Sequence, residues 1–107
     1  MTPMDMNKML QQVQQMQADM MKAQEELKNE RVEASAGGGM VTVTASGEGK
    51  VLTIKISPEA IDPDDPETLQ DLVVAGVNQA LENAQELAQS KLGDVSGGLK
   101  GLGLPGM

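Results

Sequence analysis

The residues in this sequence whose chemistry points to a ligand are basic. Exposed Lys and Arg side chains bind phosphate oxygens through charge-assisted hydrogen bonds and neutralise them without reading bases. Four such residues fall in the first third of the chain and two in the strand-like segment that follows. We assign these six as candidate phosphate contacts: Lys8, Lys22, Lys28, Arg31, Lys50 and Lys55.

The lysines of the first third also have a simpler explanation. Each follows an acidic residue by three positions, as in the pair Asp19 and Lys22 or the pair Glu25 and Lys28. This is the spacing of helix-supporting surface ion pairs, which contribute only a few tenths of a kcal/mol each. Because exposed pairs are weak, phosphate can compete for the ammonium group. Both interpretations stay open at the level of the residues.

Net charge limits where DNA could bind. The chain of 107 residues has a formal charge of −8, and the acidic excess is concentrated between residues 58 and 92, where Lys91 is the single basic residue. Between residues 37 and 57, Lys50 and Lys55 outnumber Glu48. Like charge repels phosphate, so a DNA-binding surface should involve the first helix or the strands and not the second helix.

Enzymatic chemistry is not expected. The sequence contains no His, Cys, Phe, Tyr or Trp, which removes the usual general bases, thiol nucleophiles, soft metal ligands and aromatic platforms. The acidic residues between Asp62 and Glu67 lack the spacing of a calcium loop and are better explained as helix-start acids. We therefore predict no enzyme activity, no cofactor and no metal.

The first helix, predicted from about residue 3 to residue 30, carries a narrow apolar stripe with a period of seven. Such a stripe is typical of a coiled-coil-like contact with another helix. The chain's other long helix has a broader pattern, so self-association is the default expectation. A rod of this length should also project in part beyond the domain. The stripe, called the seam below, consists of Met6, Met9, Val13, Met16, Met20, Ala23 and Leu27.

Residues 31–57 change to a period of two, which predicts three short strands. The runs Gly37 to Gly39 and Gly47 to Gly49 are short enough for hairpins, so we predict an antiparallel meander. Alternation places Leu52, Ile54 and Ile56 together on the face that needs a helix against it. A free sheet edge offers a second route to a dimer.

A second helix is predicted from about residue 66 to residue 92, with Asp65 as its cap and Gly93 as its end. Small residues at positions 76, 80, 84 and 88 form a ridge that permits close packing on a sheet or helix. Residues 1–92 are thus predicted to form a single domain. Residues 93–107 are rich in Gly and predicted to be a flexible tail, or else a segment that docks on a protein partner through Leu99, Leu102, Leu104 and Met107.

No segment has the length and hydrophobicity of a membrane span, and the sequence MTPMDMNKML lacks the pattern of a secretory signal. We expect a cytoplasmic protein without a membrane partner. The absence of Cys is compatible with a reducing compartment.

The order of these elements and several motifs resemble the YbaB/EbfC family of bacterial nucleoid-associated proteins. The resemblance covers nearly the whole chain and is carried by GGGMVTVTASGEGKVLTIKIS, EAIDP, LQDLVVAGVNQALENAQEL and the final LPGM. It implies an α+β protomer in the order α-β-β-β-α, a tweezer-like homodimer, binding to duplex DNA with little sequence discrimination, and a location in the nucleoid. An architectural or regulatory role is implied with it.

Two functional hypotheses follow. The leading one is a homodimeric protein that binds duplex DNA through phosphate contacts. The alternative is a protein–protein interaction module that uses the Met-rich helix or the C-terminal tail and does not bind DNA directly. The basic residues discriminate between the two, because only the first hypothesis requires them.

Overall fold

The computed structural model describes the backbone of residues 3–100 and the side-chain surroundings of residues 6–93. Its helices are α1 (Pro3–Asn29) and α2 (Pro66–Lys100), and its strands are β1 (Arg31–Ala36), β2 (Val41–Ser46) and β3 (Val51–Ile56). A single 3₁₀ turn, Pro58–Ala60, follows β3. This order confirms the predicted α+β fold class with two long helices around three strands.

The three strands form an antiparallel meander in the order β1-β2-β3, as predicted. Gly37, Gly38 and Gly39 all have positive φ between β1 and β2, a conformation that residues with a Cβ rarely adopt, which explains the glycine run. Ala34 of β1 and Ile54 of β3 lie on either side of Val43 in the register. One face of the sheet is therefore apolar across all three strands.

A β-bulge changes the alternation of β3. Thr44 pairs with Thr53 and the next residue of β2, Ala45, pairs with Val51, so Leu52 is the extra residue. Val51, which simple alternation assigns to the polar face, consequently packs against the core. The structure thus corrects the expected alternation of β3, because Val51 joins Ile54 and Ile56 on the core face.

Helix α2 covers the apolar face of β1 and β2 and reaches β3 only at its margin. The ridge of small residues makes this approach close: a Cβ built on Gly76 would lie 3.0 Å from Cγ2 of Val43, and Ala80 and Ala84 are fully buried. The predicted use of the ridge for packing is confirmed for these residues. Leu52, Ile54 and Ile56 stay 40%, 41% and 37% exposed, contrary to the expectation that a helix covers them.

Helix α2 begins as predicted and ends later. Asp65 caps it by accepting hydrogen bonds from the Thr68 N–H at 3.3 Å and the Thr68 hydroxyl at 2.6 Å. The helix passes through Gly93, where we predicted its end, and continues to Lys100. Glycine costs about 1 kcal/mol relative to Ala inside a helix, which weakens a helix without ending it. Residues 101–107, with the predicted docking residues Leu102, Leu104 and Met107, lie outside the described residues.

The seam divides into two halves. Ala23 and Leu27 are buried and Met16 and Met20 half-buried, where α1 lies against α2 and the β2–β3 hairpin. Ala23 and Leu27 are thus buried within one chain, so this end of the seam is covered without a second copy. The use of the seam between two chains stays a prediction. The N-terminal half projects, as predicted for part of the rod, and leaves its seam residues exposed: Met6, Met9 and Val13.

Candidate nucleic-acid interface

All six predicted phosphate contacts are exposed, so each can reach a ligand in solvent. They do not form one patch. Two lie along α1, three lie around the junction between α1 and the β2–β3 hairpin, and one lies on the open face of the sheet. In that order they are Lys8 and Lys22, then Lys28, Arg31 and Lys50, and finally Lys55.

Lys8 and Lys22 share one side of α1. They are 14 residues apart, which is close to four helical turns and about 21 Å along the axis. The position of Lys28 is about a third of a turn further round the helix. The three lysines therefore cannot meet one straight run of phosphates together, and Lys28 belongs with the junction.

The predicted acid–lysine pairs on α1 behave differently from one another. Nζ of Lys28 lies 3.7 Å from Oε2 of Glu25, and both side chains are mostly exposed, so this pair is weak. Within residues 6–93, Lys22 has no ion pair with Asp19, which instead accepts a hydrogen bond from Nε2 of Gln15 at 3.0 Å. Asp5, the predicted partner of Lys8, lies outside the described side chains. Lys22 is thus available to phosphate.

At the junction, Arg31 has a structural task. Its Nη1 donates hydrogen bonds to the carbonyl oxygens of Lys28 and Glu30, both at 3.0 Å, and so caps the last turn of α1. Lys50 lies near Arg31. The N–H of Lys50 donates a hydrogen bond to Oγ of Ser46, and Ser46 is the residue of β2 that pairs with Arg31. Lys28 lines a cleft of about 310 Å³ beside Glu48, which offsets part of its charge.

The open face of the sheet carries hydroxyl groups beside Lys55. Register places Lys55 opposite Thr42, and Thr42 opposite Ser35, while Thr44 pairs with Thr53. Hydroxyl side chains are common partners of phosphate oxygens in protein–DNA interfaces. On this face Lys55 and neutral hydrogen-bond donors lie together, and Glu33 opposite Thr44 adds a negative charge.

One lysine is already occupied. Nζ of Lys91 in α2 lies 2.6 Å from Oε1 of Glu30 and 3.1 Å from Oε2 of Glu26 in α1. The hydrogen bond to Glu30, with that to Glu26 next, raises the pKa of Lys91 above its ordinary value of 10.5. This cluster joins two helices across 61 positions of sequence, and no local pattern predicts it. Lys91 is engaged in the fold and is not a free cation.

The acidic loop before α2 forms a second cleft of about 380 Å³. Glu59, Asp62 and Asp65 line it together with the apolar side chains of Met40 and Leu72. Asp62 accepts a hydrogen bond from the N–H of Asp64 at 2.9 Å, so its carboxylate serves the loop, as Asp65 serves α2. Among the described residues, no three potential metal ligands of the His, Cys, Asp or Glu type come together.

No helix in the described part of the chain is long and apolar enough to cross a membrane.

The fold is that of a small α+β protein with six exposed candidate cations. Comparison with known proteins identifies the family of this chain. The model of the YbaB/EbfC DNA-binding family matches residues 1–99. The chain therefore belongs to the YbaB/EbfC DNA-binding family, as the resemblance in the sequence indicated. The family is named for DNA binding and not for a reaction.

Curated relatives agree with this assignment. A nucleoid-associated protein of Rhodococcus opacus is 50% identical over 103 residues, which are 96% of this chain and 91% of the relative. One of Pelotomaculum thermopropionicum is 48% identical over 96% of this chain and 95% of its own. The crystal structure of an uncharacterised protein from Helicobacter pylori matches with a TM-score of 0.67 at 21% identity, covering 84% of this chain and 91% of that one. This last likeness concerns the fold alone.

Proposed function

We propose that this protein is a nucleoid-associated protein that binds duplex DNA as a homodimer, with low sequence specificity and through phosphate contacts. The observation that carries the proposal is membership of the YbaB/EbfC DNA-binding family over residues 1–99. All six candidate cations are exposed, as the proposal requires. A location in the bacterial nucleoid, with an architectural or regulatory role there, follows from the same proposal.

Contact mainly with phosphates is supported by the scarcity of arginine. Arginine bound to guanine is the commonest specific contact in the major groove. Arg31 is the only arginine in the sequence, and its Nη1 already serves two carbonyl oxygens at the end of α1. Lysines such as Lys8 and Lys22 act mainly as point charges, so they hold a duplex of any sequence.

The acidic character of the chain sets the conditions for binding. A dimer carries twice the charge of −8 found for one chain, so phosphate is repelled except near the cations. Binding should therefore place DNA against α1 and the open sheet face and away from the acidic loop and α2. Affinity should be strong only at low salt, because it depends on the release of counterions from the duplex.

A homodimer is supported by the open part of the core face. Ile54 and Ile56 lie beside the buried Val43 and Val41 in the register, yet α2 leaves them uncovered at the free edge of the sheet. An exposed apolar edge strand is a site for pairing with another chain. A second copy placed there would bury the same residues on both sides and double the number of cations offered to DNA.

The proposal is tested by measuring duplex affinity over a range of salt concentrations. The slope of log K against log salt changes by about 0.9 for each phosphate that the protein ceases to neutralise, and by about twice that in a homodimer. We expect Lys22→Gln and Lys55→Gln to reduce the slope. Lys91→Gln is the matched control, since this lysine is held by Glu26 and Glu30 and should leave the slope unchanged.

Two unrelated duplex sequences of equal length should bind with similar affinity. The proposal is wrong if no duplex is bound at low salt or if affinity is independent of salt. A sequence preference of several orders of magnitude would contradict low specificity. Loss of DNA binding together with retention of a protein ligand would favour the alternative, a protein–protein interaction module.

A further inference from the structure

The projecting part of α1 carries an apolar stripe that nothing in the described part of the chain covers. Met6, Met9, Leu10 and Val13 follow the spacing i, i+3, i+4 and i+7, which places them on one side of the helix. They are 57%, 50%, 56% and 54% exposed. These four residues are called the arm stripe below. Leu10 widens the predicted seam, so the surface is broad enough for a second helix.

The arm stripe continues an interface that already exists. Further along the same side of α1, Met16 and Met20 are half-buried and Ala23 and Leu27 are buried where the helix meets α2 and the hairpin. The repeat does not change at the point where this cover ends. A seven-residue apolar repeat is used for helix–helix contact, so the arm stripe is the same kind of surface without its partner helix.

Charge indicates which partner fits. Residues 9–18 include five glutamines and no charged residue, although the chain as a whole carries −8. Two copies of a protein this acidic repel each other over most of their surface. The repulsion is weakest where the contacting segments of both copies are neutral. A neutral segment also offers no cation to phosphate. The arm stripe is thus suited to a second copy of this chain and unsuited to DNA.

We propose that the arm stripe joins two homodimers through a short helix pair, so that two bound duplexes are held together. The proposal rests on the homodimer of the proposed function, which uses β3 and leaves the arms free. The contact involves about two helical turns and is weak by itself. Several dimers bound along one duplex would make it effective, because tethering raises the local concentration of arms.

The first test measures mass without DNA. Wild-type protein should form species of four or more chains, in a proportion that increases with concentration, because each dimer has two arms. Leu10→Gln combined with Val13→Gln should stop at two chains, since Gln keeps the helix and adds no charge. Gln11→Ala, on the other side of α1, is the matched control and should behave as wild type. A wild-type protein that never exceeds two chains would overturn the proposal.

The same measurement separates this proposal from the homodimer on which it rests. Ile54→Thr should remove the β3 contact and leave arm-linked pairs, whereas the arm variant leaves β3-linked pairs. If the arm variant becomes a single chain, the arm is the primary dimer contact and the coupling of two dimers is wrong. Helical circular dichroism equal to that of wild type shows that each variant has folded.

The second test measures bridging and contact directly. Beads carrying one duplex should capture a second, labelled duplex with wild-type protein and fail with the arm variant, while both proteins bind a single duplex equally. Because the sequence has no cysteine, Val13→Cys gives a clean reporter for a bifunctional thiol cross-linker, with Gln11→Cys as control. We expect linked chains from the first only. Equal bridging by the arm variant, or equal linking by both reporters, would refute the contact.

Discussion

Gly47 lies where the β2–β3 hairpin touches the last turns of α1. Its N–H donates to the carbonyl oxygen of Glu30 at 3.0 Å. A Cβ at this position would lie 2.8 Å from the carbonyl oxygen of Leu27 and 2.9 Å from its Cδ2. Only glycine, which has no Cβ, lets the β2–β3 hairpin approach the end of α1 this closely. The junction that carries Lys28 therefore depends on Gly47.

We predict that Gly47→Ala destabilises the fold by about 1–3 kcal/mol, because the hairpin or the helix end must shift away. Gly93→Ala is the matched control: among the described residues, no atom outside its own stretch of helix lies within 4 Å of the added Cβ, so it should stabilise α2 by up to about 1 kcal/mol. Urea unfolding followed by circular dichroism, at one protein concentration, measures both. A stabilising Gly47→Ala would contradict the close approach of the hairpin to α1.

At the scale of elements, the cluster of Lys91 with Glu26 and Glu30 ties α2 to α1. The side chain of Lys91 is 22% exposed and its ammonium group lies near two carboxylates, so it offsets two like charges at the C-terminal end of α1. The pKa of Lys91 is higher in the folded chain than in the unfolded chain. Its protonated form therefore stabilises the fold below pH 10.5, and this stabilisation is lost as pH rises through the raised value.

Lys91→Gln should consequently be less stable than wild type at neutral pH, and the difference should disappear at alkaline pH. Free energies of unfolding measured from about pH 8 to about pH 12 test this, since the range spans the titration of lysine. Lys22→Gln is the control, because Lys22 has no ion pair among the described side chains and should show no such change. A difference that stays constant with pH would rule out the charge as its cause.

At the scale of the whole molecule, one chain is too elongated to bury its own apolar surface. Its radius of gyration is 20.7 Å and its extents are 75 × 26 × 16 Å, whereas a compact domain of this length has a radius of about 13 Å. The buried core is small and built largely from Ala and Val side chains. Much of the stability should then come from a second copy.

The midpoint of urea unfolding should therefore rise with protein concentration, because dissociation accompanies unfolding in a dimer. Ile54→Thr keeps a β-branched residue in β3 but removes apolar contact, so it should lower the midpoint and weaken its concentration dependence. Thr53→Ser, on the opposite face of β3, is the control. A wild-type midpoint independent of concentration would contradict the dimer.

Local patterns predicted the parts of this protein whose physical cause is local. The seven-residue and two-residue periods predicted the helices and strands, Asp65 predicted the start of α2, and glycine runs predicted the hairpins. Basic residue type also predicted six candidate contacts, and all six are exposed. Exposure follows from the cost of burying a charge, which is the same in any fold.

Only the tertiary structure decided what covers each surface. It placed half of the seam against α2, left Ile54 and Ile56 open, moved Val51 into the core through a bulge, and paired Lys91 with Glu30 across 61 positions. These outcomes depend on where distant elements meet, which no local period encodes. The sequence by itself determined the elements and the exposed charges, because both depend on neighbouring residues and solvent. The packing of α2 determined which apolar surfaces remain exposed.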